Sequence, residues 1–223
     1  MILSSDISMD RQISAVTKAA NFNLYRLGKI RCHLTTEATK ILAHALVISH
    51  IDYANSLLAG LPKSKIKPLQ SVQDSAARPI HRGNLSSEES KFQLHWLPVY
   101  YRILFKVLLL VFDCLQGSAP TYLQSTIKLH IPGRSGLRSN ARSLETKTVK
   151  STRRQRRRSR LFPTYQRRSF TSFAPVYWNE LPAALRTATN RGEFKRLLKT
   201  HLFALSYPSL VSRLPGRSHK TVT

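Results

Sequence analysis

A run of arginines in the last third of the chain limits the folds that the sequence can adopt. Residues 150–160 hold seven Lys or Arg side chains in eleven positions. Residues 132–168 together carry thirteen basic residues, one acid (Glu145) and few large apolar side chains. Such a segment buries too little apolar surface to offset the entropy lost on ordering it. The sequence therefore predicts a flexible basic linker over residues 129–168, with a short strand near residues 146–149.

The chain before the linker has apolar residues at helical spacing and is predicted to be a helical region over residues 1–128. Helices are expected to start at capping or proline positions, namely Ser8 or Asp10, Thr35 or Thr36, Ser64, Pro98 and Pro120. The expected buried stripe of the second helix is Ile41, Leu42, Ala45, Leu46 and Ile48, and that of the third is Ile66, Leu69, Val72, Ala76 and Ile80. Pro79 should kink or end the third helix. Residues 82–91 are polar and turn-like.

The chain after the linker contains a second folded segment. Asn190 and Glu193 form an Asn version of a capping box for a last helix. Its inner face is expected to hold Phe194, Leu197, Leu198 and Leu202. We predict a Trp-containing segment and C-terminal helix over residues 169–206, and a disordered tail over residues 207–223. The predicted fold class is mostly α: a small helical bundle with a long basic, poorly ordered loop and a C-terminal helix.

The charge balance restricts the class of partner. The chain has 36 Lys and Arg residues against 11 Asp and Glu, a formal net charge of +25. A polyanion neutralises such an excess most readily, so RNA or DNA, bound non-specifically and electrostatically, is the first candidate. An anionic membrane surface is the second. A basic surface without a selected partner is the third interpretation.

The cysteines and the hydropathy of the chain indicate its cellular location. Cys32 and Cys114 form neither a disulfide framework nor a metal-ligand pattern, which fits a nuclear or cytoplasmic protein. The N-terminal residues show no basic and apolar pattern of a secretory signal, so none is expected. Residues 103–115 are the most apolar stretch, but Lys106 and Asp113 interrupt it, and a membrane span needs about 20 residues. We therefore predict a buried helix there and no membrane partner.

The sequence does not gather the residue types that catalysis needs. Two-metal nucleotidyl transfer requires carboxylates at one point, and the chain has no adjacent pair of Asp residues. Asp52 is expected to be a helix cap or the partner of a nearby Arg or Lys. None of the eight His residues has an activating neighbour in sequence, and no glycine-rich phosphate loop is present. We predict no catalytic residue, no metal, no cofactor and no small-molecule substrate.

The candidate binding residues are the cations in and beside the arginine run. They are Lys150, Arg153, Arg154, Arg156, Arg157, Arg158, Arg160, Arg167 and Arg168. Arginine binds phosphate in a bidentate manner, and each neutralised phosphate releases counterions, so binding should weaken as salt rises. Phe162, Tyr165 and Phe170 lie close enough in sequence to stack on unpaired bases. A nuclear-import signal and a solvated charge run are the alternatives.

Three short phrases resemble a known family. Residues 52–58 read Asp-Tyr-Ala-Asn-Ser-Leu-Leu, residues 94–98 read Leu-His-Trp-Leu-Pro, and residues 177–182 read Tyr-Trp-Asn-Glu-Leu-Pro. In this order and at this spacing they resemble the region after the polymerase core in reverse transcriptases of non-LTR retrotransposons (the jockey, CR1 and L2 type). Further likeness in Leu-Gln-x-Val-Gln at residues 69–73 and elsewhere extends the resemblance over nearly the whole chain.

The resemblance implies a thumb-like and following region, which grips template and primer beside the palm. In the family the catalytic palm lies upstream of this region, and the endonuclease is a separate domain. The motif residues that carry the likeness are Asp52, Tyr53, Asn55, Pro62, His95, Trp96, Pro98, Arg102, Trp178, Asn179 and Pro182. Taken by themselves, Trp96 and Trp178 suit bulky anchors at helix boundaries, with base stacking as the alternative.

These observations predict a non-catalytic fragment of a retrotransposon RNA-directed DNA polymerase, with residual binding of template or primer. The alternative from a different class is an independent basic helical protein that binds RNA or chromatin.

Overall fold

The computed structural model describes residues 8–81, 84–129, 144 and 168–213, and these residues are mostly helical. The mostly α fold class is therefore confirmed. The first elements are α1 (Asp10–Ile30), a 3₁₀ turn (Arg31–His33), α2 (Thr36–Ala43), a π-helical turn (His44–Ile48) and α3 (Ser49–Asp52). Next come a 3₁₀ turn (Asn55–Leu58), α4 (Lys63–Ala77), α5 (Ser87–Gln93), α6 (Val99–Leu115) and α7 (Thr121–Gln124). The last are α8 (Phe170–Asn179), α9 (Ala183–Arg186), α10 (Arg191–Ser206) and α11 (Pro208–Val211).

The chain divides into two compact units, neither of which is continuous in sequence. The first comprises Met1–Ala54, Lys63–Arg102 and Thr200–Thr223, and the second comprises Asn55–Pro62 and Ile103–Lys199. Residues before Arg102 and residues from Thr200 onward belong to the same unit, and the four successive regions predicted from the sequence stay a prediction. Two of the four boundaries fall inside helices, at Arg102 in α6 and at Lys199 in α10.

In the first unit, α1 packs against α4 and against the π-helical turn. The buried residues of α1 are Ile13, Ala20 and Leu27, at intervals of seven residues, which places them on one face. All five residues predicted for the buried stripe of the third helix are buried on or just after α4. α4 ends at Ala77, two residues before Pro79, as expected from a residue that disfavours helix before it. Arg31 Nε then donates to the Pro79 carbonyl at 2.6 Å.

The predicted buried stripe of the second helix is out of phase with the structure. Ile41 and Leu46 are 59% and 38% exposed. Ile48 is buried as predicted, but the other buried residues are Thr39, Ala43, Val47 and Ile51, which are four residues apart. The π-helical turn explains this spacing, because it widens the helix and brings every fourth residue to the same side.

Residues predicted to be turn-like between 82 and 91 include a helix. Ser86 precedes α5 and accepts a hydrogen bond from the Glu89 backbone N–H at 3.2 Å, while Glu89 accepts one from the Ser86 N–H at 3.2 Å. This reciprocal capping box satisfies two backbone donors at the start of α5 and supports a helix that is only seven residues long.

In the second unit, aromatic rings form the centre of the core. The rings of Phe112 and Phe194 stack with centroids 4.5 Å apart, and Trp178 lies 5.6 Å from Phe194. The N-cap of α10 is Asn190, whose Oδ1 accepts a hydrogen bond from the Gly192 N–H at 2.7 Å. The predicted start of the last helix is thus found where the sequence places it.

The end of the chain is ordered further than the sequence predicts. Tyr207 is 1% exposed and is followed by α11, whereas a disordered tail was expected from residue 207. Burial of a large aromatic side chain offsets the entropy of ordering this segment. The strand predicted near residues 146–149 lies outside the described residues. Within those residues, no helix is both long enough and apolar enough to cross a membrane.

Candidate nucleic-acid interface

Most of the predicted binding residues lie outside the described part of the chain: Lys150, Arg153, Arg154, Arg156, Arg157, Arg158, Arg160 and Arg167. Arg168 is described and half-buried. Its Cγ lies 2.9 Å from the position that a Cβ at residue 60 would occupy, and Gly60 has a φ of +72°. The stem of Arg168 therefore packs against the backbone at Gly60. Its role in binding nucleic acid stays a prediction.

Leu144 is a fixed point within the predicted linker. Asn179 Nδ2 donates to the Leu144 carbonyl at 2.9 Å, and Asn179 Oδ1 accepts from the Leu144 N–H at 2.8 Å. Leu144 also forms an antiparallel bridge with Leu129 and is 2% exposed. The amide of Asn179 thus acts as a backbone-like partner for one residue, and the arginine run begins six residues after that residue.

An ion pair joins two of the motif residues in the first unit. Arg102 Nη1 lies 2.6 Å from Asp52 Oδ2, and Arg102 Nε donates to the Leu97 carbonyl at 2.8 Å. The side chains are 13% and 26% exposed. Asp52 is therefore the partner of a cation at the start of α6, and its carboxylate is occupied in the fold.

Two glutamines of α4 hold the segment that leads into α6. Gln73 is fully buried, and its Nε2 donates to the Leu97 carbonyl at 2.9 Å. Gln70 Oε1 accepts from the Val99 N–H at 2.9 Å. Val99 is the first residue of α6, so its N–H has no partner within the helix. The Leu-Gln-x-Val-Gln phrase on α4 thus caps α6 from across the unit.

A second charged pair supports the same corner. Asp74 accepts hydrogen bonds from Lys91 Nζ at 2.6 Å and from Gln70 Nε2 at 2.8 Å. Lys91 is only 8% exposed. A buried ammonium is costly to desolvate, so its carboxylate partner is required for the fold to tolerate it.

Trp96 is anchored by the end of the chain. It is 5% exposed, and its carbonyl accepts a hydrogen bond from Tyr207 Oη at 2.7 Å. Phe92 packs against Phe203 and Tyr207, with ring centroids 5.1 and 5.7 Å away. Burial is the main cause that raises the pKa of Tyr207 far above its ordinary value, and the carboxylates of Glu88 and Asp74 add to it.

The remaining motif residues differ in exposure. Trp178 is fully buried, so neither indole of the chain is open to a base in this conformation. Asn55 is also buried, whereas Tyr53 is 65% exposed.

The three motif prolines lie in front of helices. Pro62 and Pro182 are exposed and precede α4 and α9, and Pro98 is half-buried in front of α6. His95 has a φ of +53° and lies with its ring 5.6 Å from that of Phe203. Most of the motif residues thus serve packing, helix starts or capping.

Groups that catalysis would use are dispersed over the described ranges. There, no three side chains among His, Cys, Asp and Glu come close enough to hold a metal ion. Burial, followed by the nearby Asp113 carboxylate, raises the pKa of the Cys114 thiol, which disfavours the thiolate. Burial also lowers the pKa of His201, which favours its neutral form.

An exposed cation–aromatic surface on α1 was not anticipated from the sequence. Phe22 and Tyr25 are each 61% exposed. Arg26 Cζ lies 5.8 Å from the Phe22 ring centroid, and Lys29 Nζ lies 4.9 Å from the Tyr25 ring centroid. The spacing i, i+3, i+4, i+7 of these four residues places them on one face, and it is the signal that would have revealed them.

Comparisons of the chain with protein-family models, with curated proteins and with solved structures return no match.

Proposed function

We propose that this chain is a non-catalytic nucleic-acid-binding piece of a retrotransposon RNA-directed DNA polymerase, acting on template or primer strands in the nucleus or the cytoplasm. Its contacts would be electrostatic and independent of sequence. The observation that carries the proposal is that the fold uses five of its 11 acids in internal ion pairs and leaves a large cationic excess.

Five ion pairs within the described residues account for five of the 11 acids: Asp10–Lys65, Glu37–Lys40, Asp52–Arg102, Asp74–Lys91 and Asp113–Arg191. Three of these pairs connect residues more than forty positions apart and thus serve the tertiary fold. With 36 Lys and Arg residues in the chain, a formal charge of +25 still has no internal counter-charge. Phosphate groups of a nucleic acid supply this counter-charge with a gain from released counterions.

The corner around Leu97 supports the resemblance on which the polymerase part of the proposal rests. Asp52, Gln73 and Arg102 come from three of the resembling segments and converge there. When residues of several short motifs contact one another in the fold, those motifs are expected to be retained together in a sequence. We infer that these phrases maintain the fold, and that binding falls to the cations.

One observation favours the alternative of an independent basic RNA- or chromatin-binding protein. The first unit includes residues from Thr200 onward together with residues before Arg102, and Tyr207 bonds to Trp96 within it. Contacts between segments this far apart in sequence stabilise the unit from within, as an independent binding protein requires. Genomic context separates the two proposals, because an upstream frame with a paired-Asp polymerase core supports the retrotransposon origin.

The binding proposal is tested by filter binding of the purified chain to RNA over a range of salt concentrations. The logarithm of affinity should fall linearly with the logarithm of salt, with a slope of about 0.7 for each phosphate contacted on a single strand. Replacing the six arginines between residues 153 and 160 by Gln should reduce that slope. A variant with Lys195 and Lys199, both exposed on α10, replaced by Gln is the control for general charge loss.

Two results would contradict the proposal. A wild-type chain that does not bind RNA at low salt would exclude nucleic-acid binding. Incorporation of nucleotides on a primed template by the purified chain with Mg²⁺ would show that the chain is catalytic.

A further inference from the structure

The solvent face of α1 is aromatic and cationic along about half of the helix. The buried residues of α1 lie on one side, at Ile13, Ala20 and Leu27. With about 100° of rotation per residue, Lys18, Phe22, Tyr25 and Lys29 project from the other side, spaced i, i+4, i+7, i+11. An exposed polar face is ordinary for a helix, but two aromatic rings that are each 61% exposed on that face are not explained by packing.

The cations of this face carry no internal counter-charge in the described part of the chain. Neither Lys18, Arg26 nor Lys29 forms an ion pair with a described acidic side chain. Arg26 and Lys29 instead lie over the rings of Phe22 and Tyr25. The face therefore combines ring surfaces with uncompensated positive charge, which is the combination that single-stranded nucleic acids require of their binding surfaces.

We propose that this face, formed by Lys18, Phe22, Tyr25, Arg26 and Lys29, binds unpaired nucleotides of a single-stranded nucleic acid. The two rings stack on bases, and the three cations contact the phosphates that flank those bases. This inference rests on the proposed nucleic-acid binding and specifies which strand form is bound and where.

The dimensions of the face suit a short stretch of strand. From Lys18 to Lys29 the helix rises by about 16 Å, and Phe22 and Tyr25 are separated by about 4.5 Å along the axis and by a further rotation around it. Each ring can thus accept a separate base. The two positions are about 60° apart around the helix axis, so the proposed site would hold two unpaired bases, one on each ring.

A groove beside Lys18 extends the proposed site. It has a volume of about 430 Å³ and is lined by polar and apolar side chains, with Lys65 engaged by the Asp10 carboxylate at 2.7 Å: Asp10, Ile13, Ser14, Thr17, Lys18, Asn21, Lys65 and Pro68. The Thr17 hydroxyl is buried and has no hydrogen-bond partner among the described residues. The Thr17 hydroxyl, the Asn21 amide and the Lys18 ammonium can bond to the sugar and phosphate of a neighbouring nucleotide. Double-stranded nucleic acid would use the cations but would offer no base face to the rings.

The test measures binding of the full chain to a fluorescein-labelled oligothymidylate and to a duplex of the same length. The variants are Phe22→Ala, Tyr25→Ala and Phe22→Leu, and the control is Tyr122→Ala, whose ring is 70% exposed outside α1. Ala and Leu favour helix, and the replaced rings are exposed, so the fold should be retained, which circular dichroism checks. Phe22→Leu keeps the apolar bulk but removes the flat ring.

Each α1 variant should bind the single strand about tenfold more weakly than wild type, which is a typical value for the loss of one stacked base. Duplex affinity should be unchanged, and the tenfold difference should persist at high salt because no charge has been removed. The Tyr122→Ala control should match wild type on both probes.

The outcomes separate the two proposals. If wild type binds the oligothymidylate and the α1 variants bind it equally well, the α1 site is wrong and nucleic-acid binding stands. If the variants lose single-strand and duplex affinity equally, or if Phe22→Leu binds as wild type, base stacking is wrong. If wild type binds neither probe, both proposals are wrong.

Discussion

Arg102 connects Asp52 to Leu97: its Nη1 lies 2.6 Å from the Asp52 carboxylate, while its Nε donates to the Leu97 carbonyl at 2.8 Å. One guanidinium thereby joins the end of α3, the segment before α6 and the first turn of α6. Because both side chains of the ion pair are largely buried, removing one partner leaves a charge that water reaches poorly.

Replacing Asp52 by Ala should therefore lower the free energy of unfolding by about 2 kcal/mol, since Arg102 would lose its anionic partner but remain partly desolvated. Urea unfolding of D52A, R102A and the double variant would measure the coupling between the two residues. We expect a coupling of about 1 kcal/mol or more.

The exposed pair Glu37–Lys40 is the matched control. Its side chains are 69% and 45% exposed and lie 3.6 Å apart. The same cycle of Ala variants on this pair should give a coupling below about 0.5 kcal/mol. Equal couplings for the two pairs would show that burial does not set the contribution of the Asp52–Arg102 pair.

Gly60 and Gly117 form a natural comparison between backbone strain and steric overlap. Both have positive φ, +72° and +73°, but a Cβ at residue 60 would meet Arg168 at 2.9 Å, whereas a Cβ at residue 117 would meet no atom within 4 Å. Gly117→Ala should cost about 1 kcal/mol from backbone strain alone. Gly60→Ala should cost more, and thermal unfolding of both variants would measure the difference. Equal losses would mean that Arg168 does not pack at Gly60.

The sequence predicts the buried residues correctly where a single helical period governs burial. Ile66, Leu69, Val72 and Ala76 follow the 3.6-residue period on α4 and are all buried. Caps that act within a few residues were also accessible, as with Asn190 at the start of α10. In each case the deciding interaction lies within one or two turns of chain.

The sequence-based predictions are wrong at two places where local structure departs from the regular helical period. Ile41 was placed on the wrong side because a π-helical turn changes the period of its helix. α5 was missed although Ser86 and Glu89 form a complete capping box, because the surrounding residues are polar. The two hydrogen bonds of this capping box join residues only three positions apart, so the Ser-x-x-Glu pattern in the sequence could have revealed the helix.

Long-range partners were beyond sequence reasoning on one chain. Gln73 bonds to the Leu97 carbonyl, and Tyr207 to the Trp96 carbonyl, across 24 and 111 positions. No periodicity relates such pairs, because backbone carbonyls carry no residue-specific signal. The motif phrases indicated which segments matter, but not which atoms they join.

The stability of the fold should be sensitive to the replacement of one side-chain atom of Asn179. Asn179→Asp keeps the shape and one acceptor for the Leu144 N–H, but it replaces the donor to the Leu144 carbonyl by a second oxygen. The free energy of unfolding should fall by about 1–3 kcal/mol, since a carboxylate oxygen would face a carbonyl oxygen. Urea unfolding would measure this loss, with Asn21→Asp at an exposed position as the control. Equal stability of N179D and wild type would indicate that the Leu144 contact contributes little.

Tyr207 should make the stability depend on pH in the alkaline range. Burial, helped by Glu88 and Asp74 and opposed by Arg102, raises the pKa of its phenol in the folded state above the value of about 10 in the unfolded chain. The contribution of Tyr207 to stability is therefore fully present below about pH 10 and decreases as pH rises through the interval between the two pKa values.

At pH 8, Tyr207→Phe should be about 1 kcal/mol less stable than wild type, because the hydrogen bond to the Trp96 carbonyl is lost. Above about pH 10 the wild type should lose this advantage by about 1 kcal/mol per pH unit, since only its unfolded state releases the proton. Denaturant unfolding of both proteins at several pH values would measure the change, with Tyr122→Phe, at a position 70% exposed, as the control variant. A difference between wild type and Tyr207→Phe that does not change with pH would mean that Tyr207 ionises in the folded chain as readily as in water.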